Sequence, residues 1–421
     1  MNAAPVSAPE SVSAVPPARR HPLTLPHFRN LWIGATISLL GDQLYLVALP
    51  WLVLQLTGSS LVLGTILMTA AVPRAALMLV GGAVTDRFSA RRVLMATAAI
   101  RAVLVGIVAA LIWFKVVALW QLYALTLAFG VADAFSLPAG PALIPTLVPT
   151  EQLRPANALL QSSTVSSQML GQAPAGWLIK LWGTAFAFLF DALSFLAVIV
   201  ALLNIPDPPK AQAPPAGAPA RSGMWHSIVE GLRAVRDDPP LLSLIIMIAT
   251  INFCVGGPIG VGLAAVAKFR FGSAAAFGIF LSCFSGGMLL GILLGALVKR
   301  PRKRGLQFIV MSALAGFELV AIGFFLKMAA ICALLALMGL GVGIVNVQFS
   351  AWTQTRVAPA LLGRVMSVVM FSAVGLVPLS FWASGVLAQW NLGASFIVPG
   401  AVLAIVACTM AVGSRAAREI D

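Results

Sequence analysis

Charge is what this chain has least of. Only 10% of its 421 residues are Asp, Glu, Lys or Arg, against roughly 25% in an ordinary soluble domain. A chain so short of charge cannot cover a water-facing surface of normal polarity, which excludes a soluble globular enzyme. Histidine is scarce too. His21, His27 and His226 all lie outside the long apolar runs, so no buried histidine proton relay is available. Cys254, Cys283, Cys332 and Cys408 each sit inside an apolar run, with no paired spacing and no neighbouring His. That excludes a zinc site and a disulfide framework and leaves four small packing residues. There is no Asn-x-Ser/Thr acceptor, no Walker A sequence and no nucleophile–base–orienter set. An ATP-driven pump and an enzyme are both excluded on that ground, and no cofactor is expected. The Ala-, Pro- and Ser-rich first thirty residues hold no short apolar segment ending in a cleavage site, so no signal peptide is expected.

What is present is apolar. Hydrophobic residues make up 60% of the chain and the mean hydropathy is +0.98, which excludes disorder. The net charge of +14 raises nucleic-acid binding as a reading, but that needs basic residues clustered on a folded face. Here they occupy short gaps between long apolar runs, the placement of a membrane protein. The partner implied is the lipid bilayer, with no nucleic acid.

A spanning helix needs about 20 mostly apolar residues. Twelve stretches meet that length, at 31–56, 61–83, 93–114, 118–140, 158–180, 183–205, 241–267, 274–298, 306–326, 329–353, 365–388 and 394–413. Continuous apolar runs without period-two alternation indicate helices rather than a barrel. With the N-terminus placed in the cytoplasm, 20 of the 27 Lys and Arg fall on the cytoplasmic side and only Lys115, Lys180, Lys268, Arg270 and Lys327 on the other. This bias sets both termini in the cytoplasm. The chain then reads as a cytoplasmic tail (1–28), six helices (29–205), a cytoplasmic linker (206–240), six helices (241–413) and a second tail (414–421). The linker begins with Pro206, Pro208 and Pro209. From Met224 to Arg236 its apolar residues fall at helical spacing, which predicts a short amphipathic helix on the inner membrane surface.

Two sets of six imply an internal duplication. Gly171-Gln172-Ala173-Pro174 follows Pro149 and Arg154 in the fifth span, as Gly375-Leu376-Val377-Pro378 follows Pro359 and Arg364 in the eleventh. The loop Gly82-Ala83-Val84-Thr85-Asp86-Arg87-Phe88-Ser89-Ala90-Arg91-Arg92 resembles the signature of the major facilitator superfamily. Ser89-Ala90 stands where that family usually has a Gly and a basic residue. Leu40-Gly41-Asp42-Gln43, Ala156-Asn157-Ala158-Leu159 and Gly363-Arg364-Val365-Met366-Ser367 resemble its drug:proton antiporter branch, which includes macrolide-efflux and siderophore-exporter proteins. In the fifth span Ala173-Pro174-Ala175-Gly176 only partly keeps the antiporter signature. The resemblance, over roughly 25–410, implies an all-α integral membrane protein with twelve helices in two six-helix bundles, working by alternating access from a bacterial inner membrane.

Charges within a bilayer cost on the order of 3 kcal/mol each and call for partners or a wet cavity. Asp42, Arg74 and Arg101 lie at similar depth on sequential spans. They can neutralise one another as a packing device, hold an acidic substrate, or supply a carboxylate that responds to protons. Asp42 is the residue expected to carry the proton. The second half has no buried Asp on a cavity helix; Asn346, Gln348 and Gln354 are its candidate polar contacts. Asp191 and Glu318, mid-span in helices six and nine, read as packing or locally paired charges. Asp133, towards the cytoplasmic third of span four, is placed to reach the basic residues of the 84–92 loop. The resemblance makes Gly82, Asp86, Arg87, Arg91, Arg92, Asp133 and Arg364 a cytoplasmic gate, Asp86 sitting at the start of span eleven, where a helix N-terminus favours negative charge. Gly287, Gly291 and Gly295 read as a packing row. The expected function is proton-coupled efflux of an amphipathic small molecule by a monomer. Organic-anion uptake using Arg74 and Arg101, or a non-transporting receptor or lipid scramblase on the same fold, are the alternatives.

Overall fold

The computed structural model describes residues 21–206, 233–297, 304–324, 327–356 and 359–413. Among these there is no strand; the architecture is helical throughout. The first group is α1 (Pro26–Thr57), α2 (Ser60–Phe88), α3 (Ala90–Trp113), α4 (Leu119–Leu143), α5 (Leu153–Trp182) and α6 (Thr184–Leu203). The second begins with α7 (Pro239–Gly257), which passes through a π turn (Pro258–Gly262) into α8 (Leu263–Phe269) as one crossing. It continues with α9 (Ala274–Leu297), α10 (Arg304–Phe324) and α11 (Met328–Arg356). The next crossing is broken at Gly375 and Leu376 into α12 (Pro359–Val374) and α13 (Val377–Trp390), and α14 (Ala394–Gly413) is last. Residues 207–232 of the linker, with most of the predicted amphipathic helix, lie outside the described residues; the end of that helix, 233–236, is helical, with Val235 buried.

Among the described residues, eleven of the twelve crossings are long and apolar enough to span a membrane. The twelfth, α5, has 30 residues, about 45 Å at 1.5 Å per residue, so length is not its shortfall. Its apolar character is diluted by Asn157, Gln161, Thr164 and Gln168, spaced four, three and four apart so that they form one stripe. The 158–180 stretch is therefore a spanning helix with a polar face rather than an apolar run.

Local chemistry fixes the turns between crossings. Gly58 ends α1 at φ +63, a left-handed conformation that glycine adopts without a Cβ clash. Ser89 joins α2 to α3 at φ +70 and ψ 138, in a region close to glycine-only. Its hydroxyl accepts from the Arg92 N–H and caps α3. The Ser that departs from the family signature thus carries backbone strain in exchange for a cap.

Within each group the helices pack on one another. Between groups, α2 meets α13 and α5 meets α9. The residues in these contacts lie away from the face that carries the start of α1, here called the near face. A Cβ on Gly64 would come within 3.0 Å of Gly385 Cα. Ser59 donates to Gln389 at 3.0 Å, and the Lys268 ammonium lies 4.8 Å from the Trp51 ring centre. Among the described residues, α4 with α11 and α5 with α12 make no more than marginal contact. The groups are sealed together at the far face, and the cavities described next lie on the near side of that seal.

Candidate functional site

Four charges meet in the middle of the first group. Asp42 lies midway along α1, Arg74 midway along α2, Arg101 midway along α3 and Asp133 midway along α4. Arg101 Nη2 donates to Asp42 Oδ1 at 2.9 Å, and Arg101 Nη1 lies 3.8 Å from Asp133 Oδ1. Asp133 Oδ2 is 2.7 Å from Arg74 Nε. The result is a chain of alternating sign, Asp42–Arg101–Asp133–Arg74, running across four helices. Oppositely charged partners at such distances offset the cost of holding charge in apolar surroundings.

The Arg101 guanidinium is further enclosed by rings. It lies 4.7 Å from the Phe129 centroid and 4.5 Å from that of Phe195, within cation–π range of both. Tyr45 stacks on Phe129 at 4.7 Å and meets Phe188 edge-on. Tyr45 lies one turn from Asp42 on α1, so the same face of that helix carries the carboxylate and the ring that backs the arginine's platform.

Asp191 is closer to this cluster than a peripheral helix implies. It is fully buried and packs on α1 at Gly41, where a Cβ would approach its Oδ1 to 2.7 Å. Glycine is required there because α1 and α6 approach so closely. Ser194 donates to the Asp191 carbonyl at 2.7 Å and lies 3.4 Å from Oδ1, while Oδ2 has no hydrogen-bond partner among the described residues. Glu318, on α10, is not part of the cluster.

A cavity of about 450 Å³ opens onto the charges, lined by Asp42, Arg101, Asp133, Ser136, Asn157, Gln161 and Thr164 together with Leu39 and Phe195. The polar stripe of α5 is one of its walls. A second cavity of about 550 Å³ lies in the other group. Its wall is mostly Ile, Val, Phe and Met, including Phe284, Met288, Met311 and Phe349, with Asn252 and Asn346 as its amides. One cavity is charged and polar, the other apolar and adaptable.

The expected site residues fall into three sets. Asp42, Arg74 and Arg101 come together as their common depth predicts. Asn346 lines the apolar cavity, but Gln348 lines a separate small pocket with Arg304, Phe308 and Trp352. Two residues along an α-helix is a turn of about 200°, so the two amides face different ways. Asp133, expected at the basic loop, is instead paired with Arg74 and Arg101: α4 continues to Leu143, which puts Asp133 at mid-helix. Of the loop, Gly82 is on α2 with open space around it, and Arg87 is exposed with its guanidinium 5.6 Å from the Phe88 ring. Arg91 Nε donates to the Leu202 carbonyl at 2.9 Å, and Arg92 also has a partner. The side chains of Asp86, Arg364 and Gln354 lie outside the described residues. Sequence reading missed Phe129, Phe195, Asn157, Gln161 and Asn252. The 157–161–164–168 periodicity was a usable signal for α5; no local signal singles out the two phenylalanines among 23.

The family model for the Major Facilitator Superfamily matches residues 31–381. The multidrug efflux pump Tap of Mycolicibacterium fortuitum is 29% identical over 92% of this chain and 95% of its own length. Macrolide efflux protein A of Streptococcus pyogenes is 25% identical, covering 81% of this chain and 84% of its own. Among solved structures, the nucleoside transporter NupG superposes with a TM-score of 0.70 at 13% identity, over 91% of this chain and 98% of that one.

Proposed function

The chain belongs to the Major Facilitator Superfamily, and from that membership we propose that this transporter exports amphipathic cations in exchange for protons. The carrying observation is that both mid-helix arginines are already paired with carboxylates. Arg101 is bound to Asp42, faces Asp133 and is covered by Phe129 and Phe195; Arg74 is held by Asp133. An anionic substrate would have to strip an arginine of its carboxylates, which disfavours organic-anion uptake. A cation needs only to displace Arg101 from Asp42, whose side chain is 26% exposed and lines the cavity. A proton on Asp42 does the same by removing the charge. Proton and cation therefore compete for one carboxylate, and competition at a single site that opens alternately to two faces gives exchange when the empty site, closed on its Asp42–Arg101 pair, does not change faces.

When Asp42 loses its charge or takes a new partner, Arg101 is left with Asp133, already 3.8 Å away, so the guanidinium is never stranded. The ligand's apolar body fits the second cavity, where Phe and Met side chains adjust to varied shapes. The names of two relatives, a multidrug efflux pump and a macrolide efflux protein, support export. The Lys and Arg bias supports a cytoplasmic near face and cytoplasmic termini, and the bacterial sources of the relatives support residence in a bacterial inner membrane. The 82–92 loop with Arg364 would close that face when the far face opens, through charge-assisted bonds. A monomer contains the whole site.

The test is flux in proteoliposomes. Adding ethidium as the cationic probe should dissipate an imposed pH gradient, and Asp42→Asn should abolish that proton movement. Unchanged gradient-driven ethidium transport by Asp42→Asn would sink the assignment.

A further inference from the structure

On another face of α1 from the charge cluster lies a buried polar assembly that the exchange does not use. Gln43, adjacent to Asp42 and 3% exposed, donates from Nε2 to the Leu39 carbonyl at 2.9 Å. Its Oε1 accepts from Gln172 Nε2 of α5 at 3.1 Å. Gln172 Oε1 in turn accepts from Ser285 Oγ of α9 at 3.0 Å. One turn earlier on α9, Ser282 Oγ accepts from the Ala173 N–H and donates to the Met169 carbonyl, both at 2.9 Å. Met169 and Ala173 are the two ends of one rung of the α5 ladder, so a hydroxyl from the other helical group stands across that rung. The next rung is already open, because Pro174 has no N–H to offer Leu170. Helix ladders give way where prolines occur and where side chains insert.

Gln43 and Gln172 belong to the first group, Ser282 and Ser285 to the second. The groups cannot part at this level without stripping partners from buried amides and hydroxyls, each of which then bears its full desolvation cost. Such a network is favourable when whole and costly when partly satisfied, which makes it a two-position element. Asp42 and Gln43 are consecutive on α1, so any rotation of that helix that moves the carboxylate also moves the amide.

We propose that the Gln43–Gln172–Ser285 chain, with Ser282 across the 169–173 rung, is the coupling hinge of this transporter. It holds the far face closed and is released when α1 turns at Asp42. These are positioning residues. Only the trigger rests on the proton-exchange reading; the holding role stands apart from it.

The test uses spin labels at Lys180→Cys and Lys327→Cys, one exposed far-face site in each group, with the four native cysteines replaced and the full chain in lipid nanodiscs. Paired-label distances give the ratio of far-open to far-closed populations. In a Ser282→Ala/Ser285→Ala variant that ratio should rise about tenfold, on the lower end of the net worth of the three hydrogen bonds lost. Ser285→Thr, which keeps a hydroxyl, should stay near the unsubstituted value. An unchanged ratio in the folded double variant, or a Thr variant that behaves like the Ala one, overturns the proposal. A tenfold rise in a protein whose ratio is the same at pH 6 and pH 8 supports the hinge and counts against proton exchange instead.

Discussion

Replacing Arg101 by Met removes the group that two half-buried carboxylates, Asp42 and Asp133, share. At an effective dielectric near 20, a unit charge pair at 2.9 Å attracts by about 6 kcal/mol and one at 3.8 Å by about 4 kcal/mol. Desolvation offsets much of this. Removing one partner from a buried ion pair costs about 3–5 kcal/mol, and water in the adjoining cavity favours the lower end, about 3 kcal/mol. Asp42→Asn alone should cost far less, about 1 kcal/mol, since Arg101 keeps Asp133 and the amide oxygen still accepts a hydrogen bond. The double variant Asp42→Asn/Arg101→Met should cost about 2 kcal/mol rather than the additive 4, because the charge stranded by the loss of Arg101 is gone. The measurement is a double-mutant cycle by thermal unfolding in detergent at one scan rate. For a unit the size of one helical group, 3 kcal/mol is about 6–12 °C. The double variant should therefore recover several degrees over Arg101→Met. If the two changes add within about 0.5 kcal/mol, as independent sites do, the shared-arginine account is wrong.

Gly41→Ala should destabilise and impair ethidium flux, because its Cβ would meet Asp191 Oδ1 and Ser194 Cβ at 2.7 Å; Gly82→Ala, inside α2 with nothing within 4 Å, should raise melting slightly, by the equivalent of about 0.5–1 kcal/mol, since Ala is the better helix former. Ser89→Gly should raise the melting point by the equivalent of about 1 kcal/mol, since relief of the positive φ outweighs a glycine cap's small deficit; a fall would show that the hydroxyl cap dominates. Arg356 and Asp238 form a two-bonded pair whose arginine is 41% exposed. Arg356→Ala should therefore cost no more than about 1 kcal/mol, and the difference should shrink at high salt. Asp86→Ala should leave melting intact but increase cysteine crosslinking of near-face-open forms, and unchanged accessibility would remove Asp86 from the gate.

Much of the fold was legible because transfer into lipid is an averaged, local property. Runs of some twenty apolar residues announce helices wherever they occur, and the gaps between them announce turns. The exception, α5, shows the limit of averaging. Its polar stripe lowers the mean, and only the periodicity of Asn157, Gln161, Thr164 and Gln168 says that the polarity faces a cavity. Of the site, the depth of Asp42, Arg74 and Arg101 was legible for the same reason that the spans were, since 1.5 Å per residue converts position to depth. Gln348 was misread beside Asn346 because depth does not give rotation about the helix axis.

By itself, then, the sequence determined a helical membrane protein, the ends and order of its crossings, and the level at which charges had to be neutralised. Tertiary structure alone decided that Arg101 sits between Asp42 and Asp133 under two phenylalanine rings, that Asp133 serves Arg74, and that Gln43 and Gln172 reach a serine of the other helical group. The physical reason is that these helices are apolar nearly all round. A helix with no polar face carries no sequence signal for its azimuth, so its rotation is set by the fit of side chains against its neighbours. Which buried polar groups meet follows from that rotation.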